Sequence, residues 1–385
     1  MTPLSGIEQI AFSRPFMDEA EATAAAEVVR GHWIVGGPKL AEFERRYAAL
    51  CGAKHAIGVS SWTTGAFLVL HAWGIGPGDE VIVPSLTFIA SVNVIVHAGA
   101  VPVFADVDPR TWNIDPADVE RKVTSRTKVI TPIDEIGLPS DVDRINEIAR
   151  DCGARVLEDA ACAFASHNQE RPVGTLAEVT VFSLHARKVV STGEGGMIAT
   201  DDPELAQRLR MLRHQGMSLS DYARRNASPV AFETYPEVGF NFRITDIQAA
   251  IGLAQLDKLS TILRERRRVA ECYNDYLRDH PVFVPPHVPD GLEPNWQSYQ
   301  IGLRAPYRDR RNALMEWLFE RGIPTRRGVM ASHLEPPYRN RHAGVPHTEA
   351  AAAGTLQLPM HPALAPSQQA YILEQLEEFS TKLER

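Results

Sequence analysis

Short apolar segments that alternate with helix-length segments constrain the fold of this 385-residue chain most strongly. The strand candidates are residues 56–59, 80–83, 101–104, 128–131, 155–157, 179–182 and 197–199. Such alternation predicts an α/β fold with a mostly parallel seven-stranded sheet that helices cover on both faces. The last two candidates are joined by a loop too short for a helical crossover, so we expect them to be antiparallel.

A second, smaller α/β unit is predicted at the carboxyl end of the chain. Residues 244–256 have helical spacing, with Thr245 and Gln248 placed as a capping box, and we expect this helix to continue to about Leu277. Further strand and helix candidates follow a proline-rich turn, at residues 298–301, 308–321 and 366–382. The sequence therefore predicts a large domain over residues 1–255 and a small domain over 256–385 that a long helix enters.

Composition excludes several classes of protein. The net charge of −8 argues against nucleic-acid binding, and the one basic cluster, Arg264–Arg268, is expected on the solvated face of a helix. The four cysteines are far apart and form no C-x-x-C pair, which argues against a zinc site or disulfide framework and fits a reduced cytoplasm.

Acidic residues interrupt the first thirty positions, so no signal peptide is expected. The uncharged segment 81–105 contains prolines and a glycine, which favours strand, helix and strand over a membrane span.

Two residues at predicted strand ends suggest the chemistry. Asp159 ends the apolar run that begins at Arg155, and Lys188 follows the run 179–182 just before a glycine-rich turn. In an open α/β sheet such positions can converge on one ligand. Pyridoxal phosphate (PLP) requires this pair, because an amine holds its aldehyde and an anion keeps its pyridine nitrogen protonated. A helix cap for Asp159 and simple solvent exposure for Lys188 are the alternatives.

Other residues could complete such a site. Ser61, Thr63 and Thr64 precede or begin a predicted helix whose backbone N–H groups suit a phosphate, although Ser and Thr at such positions are most often helix caps with no ligand. Phe88 could stack on a cofactor ring or belong to the core. Ser183 could donate a hydrogen bond to a phosphate or only to the backbone.

The chain resembles the DegT/DnrJ/EryC1/StrS family, the sugar aminotransferase branch of the fold type I PLP enzymes. The matching segments are 12–15, 36–39, 76–85, 104–108, 192–196, 239–252 and 358–361. The resemblance implies that Lys188 is the Schiff-base lysine and Asp159 the partner of the pyridinium nitrogen. It also implies that Phe88 stacks on the ring and that Trp62, Thr63 and Ser183 surround the phosphate.

The same resemblance implies the substrates and the assembly. Family members transfer an amino group, usually from glutamate, to keto-sugars linked to a nucleotide, for example in lipopolysaccharide or antibiotic biosynthesis. Asn241 is expected to reach the phosphate in a neighbouring subunit, so the expected active unit is a cytoplasmic homodimer with shared active sites. The pattern predicts no metal, no nucleic acid and no membrane partner.

The sequence departs from the family pattern at three places, one of which is a pair of residues. Trp62 replaces a small residue, and we expect its indole to border the sugar site. Cys162 replaces a Gln or His that contacts the ring hydroxyl of the cofactor, and it loses a strong hydrogen bond. Asp134 and Glu135 replace a His-containing pair.

Three alternatives stay open at this point. One is a PLP-dependent sugar dehydratase, in which the family replaces the lysine by histidine, so Lys188 argues against it. Another is an aminotransferase of a keto-cyclitol that carries no nucleotide. The third is a non-enzymatic regulator, which the intact Lys188 and Asp159 disfavour.

Overall fold

The structure is a computed structural model that describes residues 10–225, 230, 232–339 and 344–383. The predicted large domain includes residues 1–9 and the predicted small domain includes residues 384–385, and both ranges lie outside the described residues. Residues 1–9 also belong to the segment in which no signal peptide is expected. The strands are β1 (His55–Val59), β2 (Glu80–Pro84), β3 (Val101–Ala105), β4 (Thr127–Ile130), β5 (Arg155–Asp159), β6 (His167–Asn168), β7 (Arg171–Pro172), β8 (Val179–Ser183), β9 (Gly196–Thr200), β10 (Phe283–Val284), β11 (Leu292–Glu293), β12 (Tyr299–Leu303), β13 (Arg326–Arg327) and β14 (Thr355–Leu358).

Helices pack on these strands and connect them. They are α1 (Glu19–Arg30), α2 (Pro38–Cys51), α3 (Trp62–Ala72), α4 (Ala90–His97), α5 (Pro116–Lys122), α6 (Val142–Cys152), α7 (Pro203–Leu212), α8 (Asp221–Arg225), α9 (Asp246–Asp257), α10 (Leu259–Leu277), α11 (Arg311–Glu320), α12 (Pro346–Gly354) and α13 (Pro366–Leu383). Short 3-10 turns lie at Glu135–Gly137, Ala305–Arg310 and Ser332–Leu334. No helix within the described ranges combines the length and the apolar character needed to cross a bilayer.

The seven predicted strands form one sheet in the order β1-β9-β8-β5-β4-β2-β3, which confirms the predicted fold class. β2, β3, β4, β5 and β8 pair in parallel, whereas β9 is antiparallel to both β8 and β1, as the short loop before β9 required. Alternate residues face opposite layers of helices, because successive side chains of a strand point to opposite faces. Ile57 and Val59 therefore join one core, and Ala56 joins another.

A separate core forms around the smaller antiparallel sheet β10-β12-β14-β13. It is built from α10, α11, α13 and these strands, and Ile10 from the amino-terminal segment also packs in it. β10 precedes the proline-rich turn yet pairs with β12, so the smaller sheet starts earlier than that turn. The division at residues 255 and 256 stays a prediction.

Two predictions about the long helix need correction. Thr245 and Gln248 form the expected capping box, but the helix is interrupted at Lys258 and continues as α10. Arg266, in the cluster placed on a solvated face, is only 2% exposed and donates to the carbonyl oxygens of Trp296 and Gln297. Five consecutive residues span more than one helical turn, so at least one of their side chains faces the core whatever its charge. The hydrogen bonds to the two carbonyl groups compensate for the lost solvation of the Arg266 guanidinium.

Candidate active site

Asp159 and Lys188 meet at the carboxyl edge of two adjacent parallel strands. Asp159 is the last residue of β5 and pairs with Val181 of β8, and Lys188 lies in the loop that follows β8. Burial raises the pKa of Asp159, and the positive charge of Lys188 opposes this rise. The structure therefore brings the predicted amine and carboxylate together where open α/β sheets bind their ligands.

Asp159 is buried and held by two hydrogen bonds. Ser91 Oγ donates to its Oδ2 at 2.7 Å, and the backbone N–H of Ala161 donates to its Oδ1 at 3.0 Å. Burial nevertheless raises the pKa of Asp159 to about 6, because these bonds and Lys188 compensate only partly for lost solvation. A cationic ring N–H beside this carboxylate would favour its ionised form, so Asp159 fits the pyridinium of PLP.

Sequence reasoning missed Ser91. This residue lies on α4 and is separated from Asp159 by 68 positions, so no local pattern links the two. Ser91 also accepts a hydrogen bond from Thr87 Oγ1 at 3.2 Å, which orients its own hydroxyl proton toward Asp159.

Lys188 contacts the residue that departs from the family pattern. Its Nζ lies 3.0 Å from Sγ of Cys162 and donates a hydrogen bond to it. Sulfur is a weak acceptor, so this bond leaves the amine available for chemistry. Burial raises the pKa of the Cys162 thiol, which therefore stays neutral at pH 7.

The amino end of α3 lies beside the start of β9. Ser61 caps the helix, and within the described part of the chain the backbone N–H groups of Trp62 and Thr63 have no hydrogen-bond acceptor. A Cβ on Gly196 would lie 2.5 Å from the carbonyl carbon of Ser61, so glycine is required for this close approach. Free N–H groups at a helix start suit a phosphate, and Thr63 is half-buried there.

Ser61 and Thr64 follow the capping alternative, because their hydroxyls bond within the capping box. The expectation for Trp62 is wrong. The Trp62 indole does not border a sugar site, since the side chain is 6% exposed and its Nε1 donates to the carbonyl oxygen of Val181 at 3.1 Å. Burying the large apolar indole in the core stabilises the folded protein more than leaving it in a hydrated cleft.

The remaining predicted site residues lie at three places. Phe88 follows β2 and is 69% exposed, which excludes the core alternative for this ring. Ser183 ends β8, and its Oγ accepts a weak bond from the backbone N–H of His185 at 3.3 Å. Asn241 is exposed and pairs with His214 in an isolated bridge, and no contact joins its side chain to the other site residues in the described ranges.

Asp134, Glu135 and Glu158 are three further buried acids around Asp159. No sequence pattern predicted that these acids form a cluster. Burial raises the pKa of Glu158 to about 7 and raises those of Asp134 and Glu135 well above their ordinary values. Burial and the charge of Glu158 both raise the pKa of Asp134. Within the described residues, Asp134 Oδ2 and Glu158 Oε1 are buried without a hydrogen-bond partner. The backbone N–H of Asp134 donates to the carbonyl oxygen of Asp159 at 3.0 Å, which places Asp134 behind the site.

Comparisons with known proteins show the family of this chain. The model of the DegT/DnrJ/EryC1/StrS aminotransferase family matches residues 15–377. GDP-perosamine synthase from Caulobacter vibrioides is 40% identical over 365 residues, which span 94% of this chain and 95% of that protein. The aminotransferase TlmJ from Streptoalloteichus hindustanus is 34% identical with a TM-score of 0.90, covering 98% of this chain and all (100%) of TlmJ. DesI, solved in the presence of its TDP-sugar product, is 31% identical with a TM-score of 0.86, covering 99% of this chain and 97% of DesI.

Proposed function

Because the chain belongs to the DegT/DnrJ/EryC1/StrS aminotransferase family, whose members are PLP-dependent, we propose that it transfers an amino group from glutamate to a nucleotide-linked keto-sugar. The aminotransferase activity follows from the family. The observation that supports the catalytic assignment is the placement of the Lys188 amine and the buried Asp159 carboxyl at one sheet edge.

Lys188 performs two tasks in this proposal. Its amine would hold the cofactor by condensing with the aldehyde and releasing water, and after displacement by the amino donor the free amine would accept and return a proton at Nζ. PLP, when bound, supplies an electron-withdrawing ring that stabilises negative charge at the reacting carbon. The weak bond to Cys162 suits this role, because a strong acceptor would hold the proton on the amine.

Asp159 keeps the ring nitrogen protonated. An ion pair at about 4 Å with an effective dielectric near 20 contributes on the order of 4 kcal/mol. Ser91 and the Ala161 N–H orient the carboxylate for this contact. Phe88 would cover the ring, and the N–H groups of Trp62 and Thr63, together with Ser183, would hold the phosphate.

A nucleotide-linked sugar is favoured over a free cyclitol by the comparisons. GDP-perosamine synthase and DesI, with its TDP-sugar product, are both similar to this chain over nearly its whole length. Lys188 disfavours a dehydratase, for which the family uses histidine at this position. The intact pair of Lys188 and Asp159 disfavours a regulator without catalysis.

We further propose a homodimer with shared active sites, located in the cytoplasm, that makes amino sugars for a cell-surface polysaccharide or an antibiotic. Exposed apolar side chains in the segment that precedes Asn241 in the sequence support an interface, since Phe232 is 81% and Val238 is 86% exposed in one chain. We keep the division into domains 1–255 and 256–385 as part of this proposal.

Borohydride reduction of the PLP-loaded protein followed by peptide mapping tests the assignment. We expect the pyridoxyl group on Lys188, and Lys188→Ala should abolish transamination while the protein stays folded. Lys128→Ala, at an exposed lysine of β4, is the matched control and should keep full activity. A pyridoxyl group on another lysine would refute the role of Lys188.

A further inference from the structure

The ring of Phe88 is exposed and receives little support from other side chains. It is 69% exposed, and the apolar core clusters of the described residues do not include it. Close packing fixes the side chains of a core, whereas an exposed ring is placed mainly by the backbone that carries it. The carbonyl oxygen of Phe88 accepts a hydrogen bond from the N–H of Ser91 at 3.1 Å, which ties one side of the residue to α4.

On the other side, residues 330–333 pair with the chain that follows β2. Leu86 and Ala331 form an isolated antiparallel bridge. The N–H of Thr87 donates to the carbonyl oxygen of Met330 at 3.0 Å. A segment that follows β13, in the predicted small domain, therefore extends the end of β2 like an added strand.

The Ser332 hydroxyl holds the peptide group that joins Thr87 to Phe88. Its Oγ donates to the carbonyl oxygen of Thr87 at 2.8 Å, from a position 245 residues away in the sequence. This carbonyl belongs to the same planar unit as the N–H of Phe88, so the bond orients the whole unit. Ser332 is 0% and Thr87 is 1% exposed, so solvent cannot readily replace the bond.

Neighbouring side chains at this junction bond elsewhere. The Thr87 hydroxyl donates to Ser91 Oγ at 3.2 Å, and Nδ1 of His333 lies 2.6 Å from Ser85 Oγ. Within the described residues, the Ser332 hydroxyl is therefore the side-chain donor to the peptide that precedes the exposed ring.

We propose that Ser332 is a positioning residue for the cofactor, because its hydroxyl orients the Thr87–Phe88 peptide so that the Phe88 ring can cover PLP. The inference rests on the proposed role of Phe88. It assigns part of the cofactor site to a segment distant in sequence from the lysine and the carboxylate at the sheet edge. Without the hydroxyl, the buried carbonyl of Thr87 loses its donor and the peptide can rotate, so the ring covers the cofactor less often.

The test measures PLP affinity by absorbance titration of the cofactor-free full-length protein. Ser332→Ala should raise the Kd about fivefold, which corresponds to the loss of one hydrogen bond. Ser332→Thr keeps the hydroxyl and should retain the wild-type Kd. Ser380→Ala is the matched control, because it removes another buried serine hydroxyl that donates to a backbone carbonyl, that of Glu377 in α13. Its Kd should equal that of the wild type.

A double-mutant cycle separates positioning of the Phe88 ring from a general effect on the fold. Once Phe88→Ala has removed the ring, adding Ser332→Ala should not raise the Kd further. Losses that multiply in the double variant would overturn the proposal, as would an unchanged Kd in Ser332→Ala alone. Should Ser332→Ala fail to fold, Ser332→Cys takes its place in the cycle, since a thiol fills similar space and is a weaker donor.

Failure of the proposed function is recognised separately from failure of this inference. If borohydride mapping of the wild type finds no pyridoxyl group on Lys188, the proposed function is wrong. If the wild type binds PLP at Lys188 but Phe88→Ala keeps the wild-type Kd, the role of Phe88 is wrong and this inference is refuted with it. If Phe88→Ala weakens binding and the Ser332 variants do not, only the role of Ser332 is refuted.

Discussion

The Nζ of Lys188 lies 3.0 Å from the Sγ of Cys162, so the thiol is the hydrogen-bond partner of the proposed Schiff-base lysine. The family resemblance places at position 162 a Gln or His that contacts the ring hydroxyl of the cofactor. A neutral thiol forms weaker hydrogen bonds than an amide. We therefore expect the residue at position 162 to affect the affinity of the protein for the cofactor.

Cys162→Gln should tighten PLP binding. Regaining a hydrogen bond of about 1 kcal/mol corresponds to a roughly fivefold lower Kd, measured by absorbance titration of the cofactor-free protein. Cys272→Gln makes the same change at an exposed thiol and serves as the control. Equal or weaker PLP affinity in Cys162→Gln would show that residue 162 does not face the ring hydroxyl.

Asp159→Asn should lower the rate of the glutamate half-reaction by on the order of 10³, because the amide cannot stabilise the pyridinium proton. Ser91→Ala should have a smaller effect of about tenfold, since it removes one hydrogen bond to the same carboxylate. Single-turnover absorbance changes after mixing with glutamate measure both rates. Asp115→Asn, at a helix cap where Asn is equally suitable, is the control. An Asp159→Asn rate close to the wild-type rate would contradict the proposed role.

The cofactor-free protein should lose stability as the pH rises from about 4.5 toward 8. Glu158 and Asp159 have folded-state pKa values raised to about 7 and about 6, so folding favours their protonated forms. Their contribution is fully present below the unfolded-state pKa and is lost as the pH passes through the folded-state value. A shift of Glu158 from 4.5 to about 7 corresponds to on the order of 3 kcal/mol.

Glu158→Gln should flatten this pH dependence, because an amide does not ionise. Thermal unfolding at a series of pH values measures the difference, with Glu147→Gln at an exposed helix position as the control. Parallel curves for Glu158→Gln and the wild type would mean that Glu158 titrates alike in the folded and unfolded states.

Mixtures of two inactive variants test the shared active site. Lys188→Ala and Asn241→Ala should each be inactive alone and regain activity when mixed and refolded. One of the two sites in a heterodimer then has both intact residues, so recovery cannot exceed about half of the heterodimer sites. If heterodimers form but stay inactive, or if Asn241→Ala keeps full cofactor affinity, Asn241 is only a turn residue.

Local sequence features were sufficient to predict the strands, the antiparallel β9 and the site pair. Strand candidates are recognisable because a short apolar run bounded by glycine or proline indicates a buried strand without information from distant residues. The structure extends each predicted strand by no more than two residues or shifts it by one. Asp159 and Lys188 could be paired because the carboxyl ends of adjacent parallel strands meet at one edge. The family resemblance then supplied the remaining site residues.

Only the tertiary structure decided how side chains distant in sequence meet. Ser91 reaches Asp159 across 68 positions, the Trp62 indole enters the core, and Arg266 turns inward against carbonyl groups. The same is true of Glu135, whose carboxyl is buried in a turn where its N–H donates to Asn113 Oδ1. Residue type and spacing determine the elements and which face of each is apolar. The ionisation state of a buried acid depends on desolvation and on charges that other elements contribute, and these exist only in the folded chain.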